Sequence, residues 1–144
     1  MIRGWLLVAA LQAPADPGHL ALAQQARSSF ATGVFDSLFS SRQVIRLETT
    51  GGAIGPPVRG SLAATLLRSR TRRQRTVAVS VVRNAAVEGR LGFVELRRVF
   101  RVAGAQETRR ERILLATVLD ADRWRVTEIL FLEGQPDRDQ PARD

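Results

Sequence analysis

The 144-residue sequence contains no cysteine, no tyrosine and no lysine, and it has a single histidine, His19. Without cysteine there is no disulfide, no zinc–thiolate site, no thiol nucleophile and no lipidated N-terminal cysteine. Without lysine the glycines of Thr50–Pro57, TGGAIGPP, cannot be a phosphate-cradling loop, which needs a strand, a fixed glycine spacing, a Lys and then a helix. The serine pairs Ser28-Ser29 and Ser40-Ser41 lack the Gly-x-Ser-x-Gly setting of an activated nucleophile. No apolar run approaches the roughly 20 residues that a bilayer-spanning helix requires. No motif for a metal or a cofactor is present.

What is present is arginine. All 22 basic residues are Arg, against 14 acids, for a net charge of +8. A genome rich in G and C produces such a bias without function, and net charge bears on steering and solubility rather than on specificity. Hydrophobic content of 44% with 25% charged residues is ordinary globular composition, and the length fits one domain with its own core.

The N-terminus reads MIRGWLLVAALQAPADPG. Arg3, the apolar run Trp5–Leu11 and the small-residue pattern Ala13-Pro14-Ala15 have the layout of a secretory signal over residues 1–15, cleaved after Ala15. A periplasmic or secreted protein is therefore expected, or a cytoplasmic one if residues 1–15 are instead a packed helix. Residues 16–133 are expected to fold, and the polar, proline-bearing stretch 134–144 is expected to be a disordered tail.

Along the body, His19–Ala31 has an amphipathic helical pattern, with Leu20, Ala23, Ala26 or Arg27, and Phe30 on one face. Gly33 interrupts it, and Phe35, Leu38 and Phe39 at i, i+3, i+4 predict a second short helix. Gln43–Thr49 predicts a strand. Ser61 is placed to cap a helix whose stripe is Leu62, Ala63, Leu66 and Leu67. That helix runs into LRSRTRRQR, five arginines within Leu67–Arg75. Arg68, Arg70, Arg72, Arg73 and Arg75 are read first as a solvated helix end that complements the helix dipole, and second as an anion-binding patch. The run has no aromatic for base stacking, which goes against nucleic acid. Strands are expected at Thr76–Arg83, Phe93–Val102, Arg112–Leu119 and Arg123–Leu132, with a bulge or a strong bend at Arg97-Arg98 where alternation slips.

This order resembles the nuclear transport factor 2-like superfamily, the cystatin-like roll, and in particular its small bacterial members of unknown function. The resemblance is carried by FATGVFDSLF (Phe30–Phe39), VIRL (Val44–Leu47), GSLAATLL (Gly60–Leu67), Gly92-Phe93-Val94 and WRVTEI (Trp124–Ile129). It implies an α+β, cone-shaped roll: a curved antiparallel sheet of four to six strands wrapped around two to three N-terminal helices. It also implies an apolar pocket at the wide end of the cone and, in many members, a homodimer through the sheet's outer face. Enzymatic members usually rely on an Asp–His pair or on Tyr and Asp. This chain has no Tyr, and His19 lies beside the expected cleavage site, where it is read as solvated. Arg68-Ser69-Arg70 stands where similar proteins carry aromatics that plug the cone.

Phe35, Phe39, Leu66, Glu95, Trp124 and Glu128 are the expected pocket residues. Glu95 would be a base if it faced inward and an arginine partner if it faced out. Glu128, in line with Trp124 and Val126, is read as inward and paired with Arg97 or Arg98. Asp36 reads as a cap or a surface carboxylate. Trp124, with Phe93, Phe100 and Phe131, reads as core or dimer interface. The expectation is a binding or accessory module, without catalytic residues, metal or cofactor, for a small apolar or anionic ligand or a protein partner. A polyanion binder and an isomerase- or dehydratase-like enzyme are the alternatives.

Overall fold

The computed structural model describes residues 16–48, 52–87 and 89–133. The expected signal at 1–15 and tail at 134–144 lie outside them. The first helix, α1, spans Pro17–Thr32. Asp16 caps it, its carboxylate accepting the Gly18 and His19 amides at 2.9 and 3.2 Å, and Pro17 supplies a helical φ where no amide partner is needed. Gly33 ends it in the left-handed region at φ 75°, a conformation that costs a glycine little. The buried face is His19, Leu22, Ala23, Ala26, Ser29 and Phe30. Leu20, expected on that face, is 42% exposed.

Residues 34–39 form turns rather than the second short helix expected. The left-handed Gly33 turns the chain away from α1. Too few residues follow to repay helix nucleation. Phe35, Leu38 and Phe39 are buried all the same, because the turn itself packs on the core.

Beyond it come β1 (Val44–Leu47), β2 (Val58–Arg59), α2 (Gly60–Thr71), β3 (Gln74–Val87), β4 (Leu91–Val102), β5 (Thr108–Asp120) and β6 (Arg123–Glu133). The strands form one six-stranded sheet in the order β2-β1-β6-β5-β4-β3. It curves without closing around the two helices. Pairing is antiparallel except between β1 and β6, which run parallel. The expected roll is therefore present, with one parallel junction where the four-residue β1 meets β6. Ser61 is not the cap of α2: Arg59 occupies that position and makes no side-chain cap bond.

The sheet's inward face carries Val94 and Leu96 of β4, Ile113 and Leu115 of β5, and Val126, Ile129 and Phe131 of β6, all buried. Phe30 of α1 sets its ring edgewise against Phe35 and Phe131, at 5.0 and 6.1 Å between centroids. The bulge expected at Arg97-Arg98 is absent: both pair in sequence with β3 and β5, so Arg97 points out and Arg98 in. Register shifts fall instead in β3, at Thr76/Ala78 and Val81/Arg83, and between β5 and β6 at Ala116/Thr117. These local two-against-one pairings raise twist and curvature and let the sheet wrap α1. Ala121 and Asp122, both at positive φ, make the tight β5–β6 turn.

Candidate functional site

The inward face is apolar in the middle and polar at both ends. At one end the last turn of α1, the last turn of α2 and the start of β3 enclose an open cleft of about 640 Å³. Arg68, Arg72 and Arg75 line it with Ser69 and Thr71, and no Asp or Glu does. Among the described residues none of these three guanidiniums forms an ion pair with a carboxylate. The C-termini of both helices converge there, so part of the positive charge offsets two dipole ends. Three guanidiniums exceed that partial charge, which is about one negative charge for two helix ends, so the cleft stays net positive.

Beneath this end lies a buried network. Arg98, fully buried, donates from Nη1 to Glu111 Oε1 at 2.8 Å and to Gln74 Oε1 at 2.7 Å, and from Nε to Thr76 Oγ1 at 2.9 Å. Thr76 Oγ1 in turn donates to the Phe30 carbonyl at 3.3 Å. Arg70 approaches the other oxygen of Glu111 at 3.7 Å and lies 3.8 Å over the Phe131 ring. One polar knot thus ties β3, β4, β5 and the end of α1 together under the cleft. A paired buried charge is tolerated where an unpaired one is not.

At the opposite end His19 is buried, not solvated as its position near the expected cleavage site implied; its exposure is 1%. With the proton on Nδ1, the ring donates to Asn84 Oδ1 and accepts the Thr117 hydroxyl at Nε2, 2.8 Å away. Trp124 meets it edgewise at 4.7 Å between ring centroids. A Cβ on Gly92 would stand 2.6 Å from Nε2 and 2.8 Å from the Ala85 carbonyl, so glycine makes the room that the imidazole fills. Burial lowers the His19 pKa from its ordinary value of 6.5, against the raising influence of Asn84 and Asp16. Asp16 itself is lowered, chiefly by the His19 amide that it accepts.

The residues expected to line a pocket are scattered. Phe35 and Phe39 are core, and Trp124 is inward beside His19. Leu66 is 44% exposed, because α2 packs through Ala63, Ala64 and Leu67 instead. Glu95 is on the outer face, where Arg112 donates to it from Nε at 2.7 Å and Arg83 approaches at 3.7 Å. Glu128 is also outward: the register shift at Ala116/Thr117 places it opposite Ala116 and brings Ile129 inward opposite Leu115. Of the arginine run, Arg68, Arg72 and Arg75 share the cleft, Arg70 turns onto Phe131, and Arg73 contributes a carbonyl to the Ala103 amide. Asp36 is exposed. The sequence leaves Glu111 without a role, and Arg98, expected as a partner of Glu128, pairs with Glu111 instead; an arginine at an inward strand position with an acid across the next strand is the available signal for both.

No family model matches the sequence, and no curated protein matches it. Solved structures do. A ketosteroid isomerase-like protein from Erwinia carotovora atroseptica superposes with a TM-score of 0.64 at 14% identity, covering 83% of this chain and 95% of that one. A domain of unknown function with a cystatin-like fold from Nostoc punctiforme gives 0.58 at 15% identity, covering 81% and 75%. A nuclear transport factor 2-like protein of unknown function from Prochlorococcus gives 0.54 at 13%, covering 83% and 93%. Six strands in this order around two helices, matched over about four-fifths of the chain, give it the nuclear transport factor 2-like, cystatin-like fold.

Proposed function

We propose that this chain is a binding module whose arginine-lined cleft takes a small anionic ligand, without acid–base turnover. One observation carries the reading: Arg68, Arg72 and Arg75 converge on a single cleft that no carboxylate lines. Guanidinium groups hold carboxylate and phosphate oxygens by paired, charge-assisted hydrogen bonds. The volume, about 640 Å³, suits a small molecule. The fold is shared with a ketosteroid isomerase-like protein, but the candidate groups for such chemistry are engaged elsewhere. Glu95 and Glu128 face away from the cone's interior, and both nitrogens of His19 are bonded.

Calorimetric titration with pyrophosphate and with citrate tests this. The wild-type chain is expected to bind at least one of them, and Arg68→Gln/Arg72→Gln is expected to lose at least tenfold in affinity. Absence of heat with both anions, or equal binding by the variant, sinks the proposal. Heparin retention at two salt concentrations separates the polyanion alternative, whose affinity falls steeply with salt.

A second reading concerns self-association. Leu114, Ala116 and Leu130 are half-buried on the outer face, and Leu132 is 41% exposed; a second copy covering that face would bury them. Sedimentation of the wild type against Leu114→Arg tests it, a concentration-independent monomer for both being the contrary result. Export through residues 1–15 belongs to the same proposal, and a mature protein that retains Met1 contradicts it.

A further inference from the structure

The buried imidazole plays no part in the cleft, and its surroundings are unusual for a group that can take up a proton. It sits in the first turn of α1 and is gripped by four strands: Asn84 of β3, Gly92 of β4, Thr117 of β5 and Trp124 of β6. None of those four strand residues can ionise. Among the described residues Asp16, on the helix side, is the one charged group that acts on it, and its carboxylate already accepts two amides of the helix start.

We infer that His19 is an acid-released bolt, which holds the first turn of α1 against the sheet when neutral and lets that turn lift when protonated. Three physical effects act together. Neutral imidazole satisfies both ring nitrogens, as donor to Asn84 and acceptor from Thr117. Imidazolium would face Thr117 with a second N–H, forcing the hydroxyl to turn and give up its donor bond. A cation in the first helical turn also meets the positive end of the helix dipole. Finally, the burial that gives the bolt its grip disfavours charge.

The release is local. Pro17, Gly18 and Leu20 are exposed, so the first turn gives up little apolar burial beyond His19 itself. Leu22, Ala23, Ala26 and Phe30 keep the rest of α1 docked. Lifting the turn uncovers Trp124, Thr117 and Asn84 and opens the cone at the end opposite the arginine cleft. The sign follows from linkage. Burial holds the docked pKa below 6.5, so the lifted state binds the proton more tightly. Docking is complete above pH 6.5 and is lost as pH falls from there through the docked pKa, about tenfold in the docking equilibrium for each unit of depression.

His19 is the sole histidine of the chain, so its ring proton resonance is identified without ambiguity. The test follows that resonance and amide hydrogen-exchange protection from pH 8 to pH 4.5 in the wild type and in His19→Gln. The expected midpoint lies below 6.5. Protection factors at Leu20–Ala23 are expected to fall at least tenfold across it, while those at Val94–Leu96 and Ile113–Leu115 hold. His19→Gln is expected to show no such pH step. A midpoint at or above 6.5, unchanged protection in α1, a simultaneous loss across the sheet, or an equal step in His19→Gln each overturns the inference.

Discussion

Arg98 on β4 and Glu111 on β5 meet at 2.8 Å on the inward face of the sheet, both almost wholly out of solvent. The pair holds Gln74 and Thr76, which line the cleft, from below. Removing Arg98 leaves the Glu111 charge in the core with only the partly exposed Arg70, 3.7 Å away, beside it. Arg98→Met is expected to cost about 3–5 kcal/mol, and Arg98→Met/Glu111→Leu to recover most of that, since an apolar replacement of a whole buried pair is often neutral. Urea denaturation of both variants measures it.

Gly92 faces His19 and Thr117 with no space for a methyl group. Gly92→Ala is expected to destabilise by about 1–3 kcal/mol, because the Ala85 carbonyl is backbone and the imidazole must move. The same variant is expected to bring the His19 titration midpoint back toward 6.5, as displacement rehydrates the ring. A melting curve and a ring-proton titration check the two halves separately.

Phe30 and Leu66 separate core from surface. Phe30→Ala is expected to cost about 3–5 kcal/mol, since its ring is buried against Phe35 and Phe131. Leu66→Ala is expected to fall within about 0.5 kcal/mol, because that side chain is 44% exposed. Equal effects would return Leu66 to the interior.

Leu66 also marks where sequence reasoning stopped. Strand alternation and the order of elements were legible, and with them the roll. The stripe expected on α2 is half right: Ala63 and Leu67 are buried, but Leu62 and Leu66, which outrank Ala64 in hydrophobicity, are exposed and Ala64 is buried. Small residues nevertheless let the helix approach the sheet closely. Glu128 was placed inward by counting in twos from Trp124, and an extra residue at Thr127 resets that count without any local signature. His19 reads as solvated from its place beside the expected cleavage site, and nothing local reveals its partners: Asn84 is 65 residues away and Thr117 is 98. β2 is two residues long, too short for any periodic pattern. The arginine run was legible as a cluster, but which of its side chains share one cleft depends on how α2 meets β3.

Glu95 separates the binding reading from an acid–base one. Its carboxylate lies on the outer face between Arg112 and Arg83. Glu95→Gln is expected to leave anion affinity within twofold of the wild type, as measured by the same calorimetric titration. A loss of tenfold or more would place that carboxylate in the site.

The location of the ligand is the central claim, and amide chemical-shift mapping with pyrophosphate reads it directly. Saturable shifts are expected at Ala31, Gly33, Ser69, Thr71 and Gln74, which surround Arg68, Arg72 and Arg75. Shifts confined to Asn84, Gly92 and Thr117, at the His19 end of the cone, would contradict it.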